Sequence, residues 1–142
     1  EEVSVFPVRP IRDTFVAGYK FWEYKNRIIP LKELADVPLI CLEKNTSTRR
    51  YMDQFLKASG VLVHPEIELA TSDMIVQFAK RNLGVASVVY DFAREALESG
   101  ELFELKIQKK IPERSICIVQ GSHATLSSAA QKLIELIRED IS

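Results

Sequence analysis

The sequence predicts an α/β fold built on a doubly wound, mainly parallel sheet. Two observations carry this prediction. From Pro38 onward, strand-like apolar runs alternate with amphipathic helical patterns over short connections. Two of those runs, Leu39–Leu42 and, Ser87 apart, Val85–Val89, are apolar without alternation, as strands covered on both faces are.

Taken in order, Val3–Val8 alternates toward a strand, with Pro7 marking an edge or an early end. Arg9–Asp13 reads as a turn, Thr14–Phe21 as a second strand, and Trp22–Ile29 as a charged and aromatic connection. Pro30–Asp36 reads as one short helical turn with proline at its start. After the Leu39–Leu42 strand, Thr48–Ser59 is a helix that stops at Gly60 and turns Met52, Phe55 and Leu56 inward. Glu66–Ala70 is a strand. Ser72–Leu83 is a helix capped by Ser72 and stopped at Gly84, with Ile75, Phe78, Ala79 and Leu83 on its buried face. Asp91 caps a helix that runs through Glu98 to Gly100, and Glu101–Ile107 returns as a strand. Beyond the Gln108–Lys110 turn, Ser115–Val119 is a buried strand. Ser128 and Gln131 suggest a capping box for a last helix carrying Leu133, Leu136 and Ile137 inward.

Composition excludes several classes. A chain of 142 residues that is 46% hydrophobic and 27% charged can bury a core as one ordinary globular domain. A net charge of -1 supplies no basic field for nucleic acid. No segment reads as a membrane span or a secretory leader. Cys41 and Cys117 both lie in apolar runs without CxxC spacing, and are expected to be reduced core residues of a cytoplasmic protein.

The candidate site is the turn after the Leu39–Leu42 strand. Asn45, Thr46, Ser47 and Thr48 place four donor-rich residues where a helix begins. The first N–H groups of a helix lack intrahelical acceptors and carry the positive end of its dipole, so the turn suits a carboxylate or similar anion. Helix capping alone explains one such residue, not four. Arg49 and Arg50 follow in the first turn, where a cation opposes the dipole, and are expected to be solvated or to face a subunit. Ser72 and Asp73 open the next helix and read as capping residues. His64 and His123 stand without partners at ligand spacing, Ser47 has no nucleophile-elbow context, and no glycine pattern cradles phosphate. No catalytic residue, metal or cofactor is therefore expected. The Lys106–Lys110 cluster reads as a solvated turn.

These segments together carry a family resemblance. DTFVAGYKF, IPLKELADVPLICLEKNTSTRRYMDQFLKASGV, SDMIVQFAKRNLGVASVV, ESGELFEL and LSSAAQKLIELI occur in an order and spacing that resembles the C-terminal part of the effector-binding domain of LysR-type transcriptional regulators. The resemblance covers Thr14 to Ile137. It implies a periplasmic-binding-protein-like (type 2) fold of two subdomains joined by crossing strands.

On that pattern, residues 1–38 bring a crossing strand and connection from an incomplete first subdomain. Residues 39–107 form the second subdomain, and 108–142 the return strand and last helix. Thr14–Phe21 and Ser115–Val119 would be the crossing strands. The resemblance further implies a small-molecule effector at Asn45–Thr48. It implies operator DNA engaged only through an N-terminal helix-turn-helix that this sequence does not show, and a homodimer or homotetramer at full length. In the family, the helix and strand corresponding to Arg49–Ser59 and Glu66–Ala70 pack against a neighbouring subunit. The sequence reads as a fragment of a longer regulator, with exposed apolar area expected on the crossing strands and last helix. A small α/β enzyme acting on a phosphorylated or carboxylate substrate, or a stand-alone solute-binding domain, would use the same strand–turn–helix cup.

Overall fold

A computed structural model describes residues 3–121 and 127–141; His123 lies outside them. The chain divides into two compact units. The larger is Arg12–Pro112, and the smaller takes the described residues up to Ile11 and from Glu113 onward.

The larger unit is built on a five-stranded sheet. Strands β4 (Leu39–Leu42), β5 (Ile67–Leu69) and β6 (Val85–Val89) form its parallel part, with β4 between the other two. Strand β2 (Asp13–Ala17) pairs antiparallel with β6, and β7 (Phe103–Glu104) pairs antiparallel with β2 at the far edge. Period-two alternation sorts the apolar side chains between two cores. Phe15, Leu39, Cys41 and Val85 face one side, where α1 (Ser47–Ala58) contributes Met52 and Leu56. Val16, Ile40, Leu42, Ala86 and Val88 face the other, under Ile75 and Ala79 of α2 (Ser72–Lys80) and Ala93 and Ala96 of α3 (Tyr90–Ser99). Helices on both faces make the sheet doubly wound, as predicted. A separate parallel pair, β3 (Ile28–Ile29) with β8 (Lys106–Ile107), completes this unit.

In the smaller unit, β1 (Val3–Ile11) pairs antiparallel with β9 (Arg114–Gly121), beside α4 (Ser128–Ile141).

Several expectations are corrected. Arg9–Asp13 is not a turn: β1 continues to Ile11, with a register shift between Pro7 and Arg9. A two-stranded sheet has free edges, so Pro7 and Pro10 do not interrupt a central ladder. The second strand ends at Ala17 rather than Phe21. At Gly18 the chain leaves the sheet for a 3-10 segment, Tyr19–Tyr24, and the Lys20 amide donates to Asn82 Oδ1 at 3.0 Å. The strand that pairs with β9 is β1, not Thr14–Phe21. Strand β2 belongs to the large sheet, and the larger unit runs from Arg12 to Pro112.

Helix α2 stops at Lys80, with Asn82 in the left-handed region, and Leu83 is 47% exposed rather than buried; Val76 takes its place inside. Gly84 is not the helix stop. A Cβ there would lie 2.6 Å from the Pro38 carbonyl oxygen, so glycine permits close approach of the β6 and β4 entries. Glu101–Ile107 splits between two sheets at Leu105. Strand β9 is not buried: Ile116 and Val119 are exposed, and so is Cys117. Leu133 and Leu136 of α4 are exposed rather than inward, and the cap is Ser127, whose Oγ accepts from Ala130 N at 3.1 Å.

Candidate functional site

The three parallel strands end together, and each leads into one of the three α-helices of the larger unit. Strand β4 leads through Glu43–Thr46 into α1, β5 through Thr71 into α2, and β6 directly into α3. Because β2 is antiparallel to β6, with Asp13 opposite Val89, Arg12–Thr14 join the same edge. The Tyr90 amide donates to the Arg12 carbonyl at 2.8 Å. α1 leaves β4 toward one core, while α3 leaves β6 toward the other. Adjacent strands whose connections depart to opposite faces leave a crevice between their carboxyl ends, where open α/β sheets receive ligands.

Asn45–Thr48 stand at the carboxyl end of β4, where the chain turns into α1. The Thr46 hydroxyl accepts from Arg49 N at 3.2 Å and donates to the Glu43 carbonyl at 2.8 Å, so Thr46 is the N-cap and braces the turn. The Glu43 amide is bonded to the Leu69 carbonyl at 3.0 Å, which ties the turn to β5. Asn45 and Ser47 are exposed and Thr48 is half-buried. The Asn45 carbonyl accepts from Arg50 Nη1 at 3.4 Å. The turn therefore forms a rim, with the start of α1 behind it.

Arg49 departs from expectation. It is 5% exposed. Its Nε reaches both Asp53 carboxylate oxygens at 3.0 Å, and its Nη1 reaches the Leu42 carbonyl at 2.9 Å and Glu68 Oε2 at 2.7 Å. Desolvation alone would lower its pKa, but the hydrogen bonds to Glu68 and Asp53 carry it above the usual arginine value. Beneath it, burial pushes the Cys41 thiol up to about 11 against the opposing pull of Arg49. The sequence signal for this arrangement was Asp53, four residues after Arg49 on one helix face; Glu68 gave none. Arg50 is exposed, as expected.

Ser72 does not cap α2. Thr71 does, its hydroxyl accepting from Met74 N at 3.3 Å, and Asp73 is exposed. Asp91 does not cap α3 either, but pairs with Arg94 at 2.8 Å. Two further side chains at this edge escaped the sequence reading. Arg12 pairs with Glu104 and lies 4.2 Å over the Tyr90 ring. Thr14 is buried and donates to the same Glu104 oxygen. A cavity of about 250 Å³ opens beside Arg12, Thr14, Glu104 and Lys106; Asn45–Thr48 do not line it. Among the described residues, no group of His, Cys, Asp and Glu is placed to hold a metal ion. No helix among them is long and apolar enough to cross a membrane. His64 is exposed.

The family model of the LysR substrate binding domain matches residues 17–142. The chain belongs to that family. It is 25% identical over 114 residues to the HTH-type transcriptional activator CmpR of Synechocystis sp. (strain ATCC 27184 / PCC 6803 / Kazusa), covering 80% of this chain and 37% of CmpR. The chain thus spans well under half of that relative. Among solved structures, the CcmR regulatory domain of Synechocystis PCC6803, in complex with 2-PG, superposes with a TM-score of 0.86 at 18% identity, over 99% of this chain and 68% of that one. The effector binding domain of QuiR, in complex with shikimate, superposes with a TM-score of 0.80 at 14% identity, over 98% of this chain and 65% of that one. The LysR chain shares their fold, the type 2 periplasmic-binding-protein-like arrangement.

Proposed function

We propose that this chain is the effector-sensing part of a LysR-type transcriptional regulator of the cytoplasm, and that Asn45, Thr46, Ser47 and Thr48 contact a small anionic or polar metabolite. The observation that carries this reading is the topology at the carboxyl edge of β4 and β6, adjacent parallel strands from which α1 and α3 leave toward opposite faces. The α1 N-terminus and the hydroxyl-bearing residues Ser47 and Thr48 stand at that edge, a combination that favours negative charge, while Thr46 shapes the turn as its cap. The small molecules held by the CcmR and QuiR domains support it.

The smaller unit, with its β1–β9 pair, supplies the crossing strands, and Arg12–Pro112 is the second subdomain. Effector binding shifts the balance between open and closed arrangements across the crossing strands. That changes how subunits of a homodimer or homotetramer pack, and hence how a helix-turn-helix elsewhere in the polypeptide engages operator DNA.

The test is a titration of the full-length gene product carrying this chain with small carboxylates and phosphorylated acids, followed by melting temperature. A bound effector at a hundred times its Kd adds about 2.7 kcal/mol of stability, a shift of several degrees. One of these anions raises the melting temperature, and Ser47→Ala or Thr48→Ala removes most of the rise. A rise that survives both substitutions places the effector elsewhere.

A further inference from the structure

The turn that carries the rim residues is held from below. Arg49 is joined at once to the end of β4, to β5 and to the body of α1. It reaches β4 through the Leu42 carbonyl at 2.9 Å, β5 through Glu68 at 2.7 Å, and α1 through both oxygens of Asp53 at 3.0 Å. Its backbone amide is also the group that the Thr46 hydroxyl caps. The Leu42 carbonyl is the last of its strand, and Glu43–Thr46 spring directly from it.

Two carboxylates and a carbonyl offset the desolvation of this buried guanidinium, and its planar fork is what lets one side chain meet all three. Asp53 and Glu68 keep 44% and 40% of their side chains exposed, so the pairs are anchored on the protein side and wet on the other. The sulfur of Cys41 lies on the same inner face and offers no competing acceptor of similar strength.

We infer that Arg49 is a positioning residue: it fixes the Glu43–Thr48 turn in the shape that presents Ser47 and Thr48, while its own guanidinium is held inward by Leu42, Glu68 and Asp53. That the turn receives an effector rests on the function proposed above; that Arg49 fixes its shape does not.

Amide hydrogen exchange on the unliganded chain tests the inference. Arg49→Lys keeps the charge but cannot reach Leu42, Glu68 and Asp53 together. It accelerates exchange at Glu43, Thr46 and Arg49 by about tenfold or more, the loss expected for a hydrogen bond to a charged group. Exchange at Ala86–Val88 of β6 keeps its wild-type ratio to the other core amides. Ile75→Val, a buried change in the other core, serves as the control for stability alone and speeds all core amides by a common factor. Arg49→Gln, which removes the charge, is the second variant should the lysine find a substitute arrangement, and it gives the same local pattern.

Uniform acceleration in both Arg49 variants, or none, overturns the inference. Because no ligand is needed, that failure is distinct from an effector shift that survives Ser47→Ala and Thr48→Ala, which would overturn the site alone.

Discussion

The Thr46 hydroxyl accepts a hydrogen bond from the Arg49 amide at 3.2 Å while donating to the Glu43 carbonyl at 2.8 Å. Both capacities of that hydroxyl are therefore used within the protein, and Thr46 acts first as a cap. Thr46→Ala should lower unfolding free energy by about 1 kcal/mol, and Thr46→Ser by much less. Urea unfolding followed by circular dichroism measures the difference.

Met52 and Leu56 are buried on the α1 face, whereas Leu83, which the helical spacing of α2 turned inward, stands 47% exposed. Leu56→Ala should cost about 2–5 kcal/mol. Leu83→Ala should stay within about 0.5 kcal/mol of wild type, since surface truncations rarely do more. Paired thermal melts separate the two, and equal losses would contradict the end of α2 at Lys80.

The two cysteines should differ in chemistry. Cys117 is exposed and Cys41 is buried, with its thiol pushed up to about 11 by desolvation. In the folded protein at pH 8, an aromatic disulfide reagent should titrate one thiol rapidly, and Cys117→Ser should abolish that reaction. Cys41 also carries a pH signature. Its folded pKa lies above the ordinary value of 9.0, so the native state holds the proton while the unfolded state releases it. The stability this contributes is complete below about pH 9 and is lost as the pH rises toward 11. Cys41→Ala should flatten the fall in stability over that window.

Gly84 admits no side chain without displacement, because a Cβ would lie 2.6 Å from the Pro38 carbonyl oxygen. Gly84→Ala should destabilise by about 1–3 kcal/mol through overpacking, measured by denaturant midpoint.

In the smaller unit, Ile116 and Val119 of β9 and Leu133 and Leu136 of α4 are exposed together on neighbouring parts of the chain. The 142-residue chain should therefore self-associate, with light scattering giving a mass that rises with concentration. Val119→Lys with Leu133→Glu should weaken that association. A constant monomer mass at high concentration would refute it.

By itself the sequence determined the elements whose signals are local. Leu39–Leu42 and Val85–Val89 read as covered strands because both faces of each are apolar, and they are buried throughout. Gly100 ends α3 in the left-handed conformation, as a glycine after a helical pattern should. The family was legible too, since its motifs follow one another along the chain. The cap region of α1 was legible because hydroxyl residues before an amphipathic run have few other uses.

Tertiary structure alone decided the rest, because the deciding partner lies far along the chain. Arg49 looked solvated until Glu68, nineteen positions away, came beside it. Tyr19–Phe21 looked extended until Asn82 claimed the Lys20 amide. Ile116 and Val119 looked buried, because an apolar strand is identical in sequence whether or not a second layer covers it.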